Sequence, residues 1–351
     1  MLFSDRPKER REELFDRDDE ISELKRASNH PITLITGPRR IGKTSLLRVY
    51  LNDENIPSAL ADVRTPINSY RALYSIFSSI LTQLSKTGFS GRLKNLLRHV
   101  EGVSFAGFNI SLSWGSRPSL QEIMDNINSL GRVLIAFDEA QNLRGKLATN
   151  FISLLAHCYD YCSNVNFILT GSEVGLLYDL LRIDDAESPL YGRHLDEVKV
   201  SRFDRELSLE FLNAGFRESG LEASNDVLEY AVSKLDGIAG WLTEFGLQSL
   251  KSKPTKQLVD EVFLKAAKTS INEVAHFSKM YLDVVEAIGI GKDRWSDIKR
   301  FITAKRRRDI YDAELSRYLT KLKKRGYIIS LENGQYRLLD PILENYFAAA
   351  R

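Results

Sequence analysis

Residues 37–44 read Gly-Pro-Arg-Arg-Ile-Gly-Lys-Thr, two glycines around a basic stretch with a lysine and a hydroxyl directly after the second. This is the G-x-x-x-x-G-K-[ST] spacing of a loop that cradles phosphate. Gly37 and Gly42 can take backbone angles closed to other side chains, so successive N–H groups can curl inward around phosphate oxygens. The run from Gly37 through Pro38, Arg39, Arg40, Ile41 and Gly42 to Ser45 is therefore expected to line the phosphates. Lys43 brings a mobile positive charge to the β- and γ-phosphates, and Thr44 offers a hydroxyl to Mg²⁺. The helix that opens near Ser45 turns its positive end toward the same anion.

Two apolar runs end in residues that complete such a site. Val133-Leu134-Ile135-Ala136-Phe137 runs into Asp138-Glu139. Asp138 is expected in the Mg²⁺ shell, and Glu139 is expected to orient or deprotonate the water that attacks the γ-phosphate. Phe167-Ile168-Leu169 ends in Thr170-Gly171-Ser172. A hydroxyl of Thr170 or Ser172 could reach the attacking water or the γ-phosphate. The plainer reading is a strand that turns at Gly171, with Ser172 capping the next helix.

The elements that must position these residues alternate as in an α/β sheet with crossover helices. Candidate strands are 32–36, 59–63, 133–137, 165–169 and 196–200. Between the second and third lies an insertion, with helical spacing from Tyr70 to Leu84 and a hairpin pattern over 103–114 about Ala106-Gly107. After residue 204 the pattern is helical: Leu207 to Leu212, Val227 to Leu235 and Leu258 to Ala267, with a linker-like segment at 251–256. The last seventy residues show helical spacing at Tyr281–Ile288, Trp295–Ile302 and Asp312–Lys324, then a hairpin signal at Asn333-Gly334.

With 351 residues and 43% hydrophobic content, the chain can bury two or three cores. The first twenty residues are crowded with charge and no run reaches the length of a membrane span, so a cytoplasmic protein without a membrane partner is expected. Cys158 and Cys162, beside His157, read as a reduced structural pair because no second ligand pair follows. The net charge of +2 is unevenly spread. From Tyr281 onward 15 Lys and Arg face 10 Asp and Glu. Arg300, Lys305, Arg306, Arg307, Arg308, Arg317, Lys321, Lys323, Lys324 and Arg325 could meet the phosphates of duplex DNA, or form a solvated face on a protein-docking module.

The loop, the acidic strand VLIAFDEAQ, the strand end FILTGS, Ser188-Pro189-Leu190-Tyr191-Gly192-Arg193 and the upstream Phe15-x-Arg17-x-x-Glu20-Ile21 together resemble the archaeal ATPase family, a branch of the STAND class related to AAA+ proteins. The resemblance covers about residues 15–245. It implies a P-loop parallel sheet of order 5-1-4-3-2, a helical lid domain and a C-terminal winged-helix domain. The expected boundaries are 1–204, 205–277 and 278–351, with Asp312–Lys324 in the position of a recognition helix. It places Phe15 and Arg17 at the base end of the nucleotide and brings Arg193 near the γ-phosphate as a sensor or finger. The alternative for Arg193 is an ion pair with Asp184, Asp185 or Glu187. The chain departs from the family at Gly237-Ile238-Ala239, where Ala239 stands for the usual proline. ATP/ADP with Mg²⁺ is the implied ligand set, and no guanine motif of the Asn/Thr-Lys-x-Asp type follows. The function implied is a slow ATPase switch acting through the winged helix on a protein or on DNA. The alternative is an ATP-dependent DNA-binding, initiator-like regulator in which hydrolysis is incidental.

Overall fold

The computed structural model describes residues 1–64, 67, 69–113, 115, 116, 118–143 and 146–349. Its first part alternates helix and strand: α1 (Asp18–Ala27), β1 (Ile32–Thr36), α2 (Lys43–Asp53), β2 (Ser58–Asp62), α3 (Tyr70–Ser85), α4 (Ser90–Leu97), β3 (Val103–Ala106), β4 (Asn109–Leu112), α5 (Leu120–Asn128), β5 (Val133–Asp138), α6 (Lys146–Tyr161), β6 (Val165–Gly171), α7 (Val174–Leu181) and β7 (Asp196–Lys199). The main sheet is parallel and runs β2-β5-β6-β1-β7. Counting its five strands along the chain, this is the order 5-1-4-3-2 implied by the resemblance.

The apolar runs are continuous because the sheet is covered on both faces. Val133, Ile135 and Phe137 enter the core that includes α3 and α6, while Leu134 and Ala136 enter the core under α1 and α2. All strands end at one edge, where Thr36 pairs with Gly171 and Lys199, and Asp62 pairs with Asp138. Ligands of such sheets sit at that carboxyl edge. β6 runs two residues past its expected end, which carries Thr170 and Gly171 into the sheet. The insertion holds the expected hairpin, turning at Gly107 (φ +59°); Trp114 lies outside the described residues. Ser78 Oγ and Thr82 Oγ1 of α3 accept the N–H groups of Leu112 and Ile110 at 2.9 and 3.0 Å, closing that hairpin's open edge.

The second part is α8 (Arg205–Glu218), α9 (Asn225–Leu235), α10 (Ala239–Ser249) and α11 (Lys256–Phe277). It is followed by α12 (Lys279–Gly289), α13 (Trp295–Arg306), α14 (Asp312–Lys324), β8 (Ile328–Ser330), β9 (Tyr336–Leu338) and α15 (Pro341–Ala348). The β8–β9 turn falls at Asn333-Gly334, with Gly334 at φ +77°. Helices α10 and α15 have no counterpart in the sequence reading. Packing also crosses the expected boundaries. The ring of Phe3 fills a slot between α8 and α10, where a Cβ on Gly215 or Gly246 would come within 2.3 Å of it, so the N-terminus belongs to the core of the helical lid. Ile342 of α15 reaches the same core. Among the described residues no helix is long and apolar enough to cross a membrane.

Candidate active site

The phosphate loop leaves the end of β1 and opens α2. Gly37 sits at φ +143°, and a Cβ there would lie 2.2 Å from the Val200 carbonyl oxygen, so no other residue fits. Gly42, at φ +102°, is the last residue before α2. Lys43 is 5% exposed and donates to the Gly37 and Pro38 carbonyls at 2.8 and 2.6 Å. Thr44 Oγ1 donates to Asp138 Oδ2 at 2.9 Å. A hydroxyl and a carboxylate oxygen converging at a strand end form the hard oxygen set that suits Mg²⁺.

Thr170 is fully buried, and its hydroxyl is engaged on both sides. It donates to Asp138 Oδ1 at 2.5 Å and accepts the Glu139 N–H at 2.9 Å. Its hydroxyl thus joins the two acids, where the sequence offered it to the water or the γ-phosphate. Glu139 has a left-handed backbone (φ +58°) that turns it off the strand toward the cavity. Its carboxylate accepts from Ser172 Oγ at 2.7 Å and from Gln141 Nε2 at 2.5 Å. Ser172 thus does not cap α7; it binds Glu139 and lines a cavity with Pro38 and Arg39 of the loop.

The loop opens on a cavity of about 380 Å³. Arg40, Ile41, Gly42, Lys43, Thr44, Ser45 and Glu139 form its phosphate end, and Phe15, Arg17, Phe203 and Phe211 line the remainder. Phe15 packs edge-on against Phe203 and Phe211 at 5.8 and 5.4 Å. Arg17 lies over the Phe203 ring and donates to the Ser201 carbonyl at 2.8 Å. The lid reaches the loop without the missing proline. Gly237, at φ +70°, leaves room for the Phe203 carbonyl, and the Gly240 N–H donates to the Arg40 carbonyl at 2.8 Å. Sequence reasoning missed the N-terminal wall from Ser4 to Lys8, whose Lys8 N–H donates to Ser45 Oγ at 3.1 Å. No local pattern marks that segment; the Phe3 slot and contacts such as that of Leu2 N–H with Glu218 hold it in place.

Two arginine side chains, those of Arg39 and Arg193, lie outside the nucleotide cavity. The Arg39 side chain turns outward, to Glu173 at 2.6 Å and Glu273 at 2.9 Å, and Arg40 reaches Glu273 at 3.3 Å while lying 4.3 Å from the Trp241 ring centroid. Arg193 is not brought to the loop of its own chain. It pairs with Asp160 at 2.6 Å, beside the last turn of α6, and stands just before Asp196, which pairs with Thr33 near the start of β1. This is the amino edge of the sheet, opposite the phosphates. None of Asp184, Asp185 or Glu187 holds it; Asp185 pairs instead with Arg182.

Burial pushes the Lys43 ammonium down to about 8, with Glu139 and Asp138 opposing the fall and Arg39 adding to it. A bound polyphosphate raises the value again, so above that pH binding takes up a proton. Nucleotide affinity is expected to be level below pH ~8 and then to fall by about tenfold per unit, until the bound form's own pKa is reached. Titration with a fluorescent ADP analogue across this range checks the sign; an affinity that stays flat or rises contradicts it.

A parallel sheet of this order, with the loop and the acidic strand end at one edge, defines a P-loop nucleotide-binding protein joined to a winged helix. The chain belongs to the family described as ATPase domains predominantly from Archaea, whose model matches residues 14–245. Residues 277–339 match the model of the C-terminal winged helix-turn-helix domain of MCM proteins. A Walker-type ATPase of Pyrococcus abyssi is 35% identical, with 99% of each chain covered and a TM-score of 0.83. The ORC2 protein of Aeropyrum pernix, in its ADPNP–ADP complexes, shares the fold at 16% identity, with 99% of this chain and 98% of that one covered and a TM-score of 0.57. Among curated proteins none matches the chain.

Proposed function

We propose that the chain is an ATP-binding, slowly ATP-hydrolysing switch in which the nucleotide at the phosphate loop governs what the winged helix can bind. A shared carboxylate supports this most directly. Glu173, between β6 and α7 and 3% exposed, accepts from Arg39 of the loop at 2.6 Å and from Arg325 of the winged helix at 2.7 Å. Arg325 also lies 3.7 Å from the Phe277 ring centroid, and Lys324 pairs with Asp179 of α7 at 2.7 Å. The contact is close: a Cβ on Gly175 would come within 2.7 Å of the Lys324 Cα and carbonyl oxygen.

The loop therefore has two working sides. Its inner side faces the nucleotide cavity, and its outer side faces a second cavity of about 380 Å³ bounded by Arg39, Trp241, Glu273, Arg325 and Tyr327. Lys43 is held by the loop's own carbonyls, and phosphates draw it and the loop N–H groups inward. Arg39 shares that loop, so its hold on Glu173 and Glu273 loosens as the loop tightens. Glu173 is then left to Arg325 alone, and the winged helix is held more firmly against the sheet.

Thr44 and Asp138 would hold Mg²⁺, which when bound supplies positive charge against the β- and γ-phosphate oxygens. Glu139 orients and deprotonates the attacking water. Its carboxylate must first leave Ser172 and Gln141, which makes turnover slow. The test is amide hydrogen exchange along Lys321–Tyr327 with and without a non-hydrolysable ATP analogue. Exchange is expected to fall when the analogue binds; unchanged exchange with proven binding rejects the switch.

A second reading, the DNA-binding regulator, draws on the exposed basic residues that stay away from these contacts. Lys305 and Arg306 are tied to buried Asp283, and Lys324 and Arg325 face the sheet side, whereas Arg307, Arg317 and Lys321 remain exposed on α14 and the preceding turn. Arg307→Ala with Arg317→Ala is expected to lower duplex DNA affinity and to reduce the salt slope by about two. Absence of a mobility shift at low salt removes this reading.

A further inference from the structure

We propose that Asp125, His157 and Cys162 form a binding site for a thiophilic divalent cation of the zinc type, away from the nucleotide. Helix α5 lies beside α6, and the three residues meet where α6 ends. His157 Nε2 and Cys162 Sγ are 2.7 and 3.5 Å from Asp125 Oδ1, and all three donor atoms lie within 4.8 Å of one another. Cys158 stands one helical turn before Cys162 and shares a hydrogen bond with it.

The donor set and its size agree with zinc. Bond lengths of about 2.3 Å to sulfur and about 2.0 Å to nitrogen and oxygen, at tetrahedral angles, put donor atoms roughly 3.3–3.5 Å apart. The sulfur–oxygen separation already has that value, and the nitrogen–oxygen pair has to open by about 0.6 Å. A thiol, an imidazole and one carboxylate suit a borderline-soft ion, whereas Mg²⁺ and Ca²⁺ demand oxygen donors. Access is provided as well: Cys162 is buried, His157 half-buried and Asp125 half-exposed, so the donors lead from surface to interior. The two cysteines alone suggested no site because their partner sits on another helix, 37 residues before Cys162. A bound ion would join α5 to the turn before β6. That turn is already tied there by the Asn164 N–H to Asn128 Oδ1 at 2.8 Å and by Asn164 Nδ2 to the Asn128 carbonyl at 3.0 Å.

The test uses the full chain, reduced and freed of metal, with ADP and Mg²⁺ saturating the phosphate loop. Zn²⁺ is titrated by calorimetry, and Co²⁺ is followed through its thiolate charge-transfer absorption. One Zn²⁺ per chain is expected, with a charge-transfer band for Co²⁺. Affinity is expected to fall by at least about tenfold in Asp125→Asn and in His157→Gln. Cys162→Ser should abolish the band. The proposal is overturned if no band appears, or if Asp125→Asn and His157→Gln bind Zn²⁺ like the parent. It is equally overturned if binding depends on Cys158 but not on Asp125 or His157.

Discussion

Glu139→Gln is expected to bind ATP as the parent does and to hydrolyse it at least about 100-fold more slowly, the range set by loss of a general base. Glutamine keeps the side-chain length and an amide oxygen that can still accept from Ser172 Oγ, so the local packing survives. What it loses is the carboxylate's ability to take a proton from water. Asp138, the other acid at this strand end, is engaged by Thr44 and Thr170 and cannot replace it. Phosphate release at saturating ATP, beside analogue binding to the same preparation, separates the two effects. Equal turnover in variant and parent would remove Glu139 from the chemistry and leave the chain a binder without a clock.

Glu173→Gln should uncouple the two ends of the molecule. Breaking a buried ion pair by removing one partner costs about 3–5 kcal/mol, and Arg39, which can rehydrate in part, brings the figure toward the lower end. Arg39 keeps 34% of its side-chain surface exposed and retains Glu273, whereas Arg325, at 12%, is left over Phe277 without its carboxylate. The winged helix is therefore expected to detach in the variant whether or not ATP is present, and hydrogen exchange along Lys321–Tyr327 should be high in both conditions. Arg325→Ala should give the same result, and the double variant should add little, because both changes remove one interaction. If Glu173→Gln still responds to the ATP analogue as the parent does, the relay runs elsewhere.

How much of this was legible in the sequence depended on the range of the interactions. The loop, the acidic strand end and the strands themselves are local patterns, and they appear where the spacing put them. Their roles were legible only in part. Thr170 has the residue type to meet a γ-phosphate, but β6 continues two residues further than its apolar run and carries it into the sheet, where its hydroxyl joins Asp138 and Glu139. Arg193 has the charge of a finger, but it precedes β7, whose parallel pairing sets its start at the sheet's far edge. The basic C-terminal run read as one surface, yet it divides. Some of its members are consumed by Asp283, Glu173 and Asp179, and others stay exposed.

The chain alone therefore determined a phosphate loop, a parallel sheet to carry it and a winged helix after a helical lid. Each of these follows from residue type at a short, fixed spacing, where backbone geometry leaves few alternatives. The tertiary structure alone decided that Phe3 closes the nucleotide cavity's wall by docking 212 residues away at Gly215, and that Glu173 answers both Arg39 and Arg325. Those are pairings between side chains far apart in sequence. Many carboxylates could in principle meet many guanidinium groups, and only the packing of lid, sheet and winged helix selects which ones are buried together.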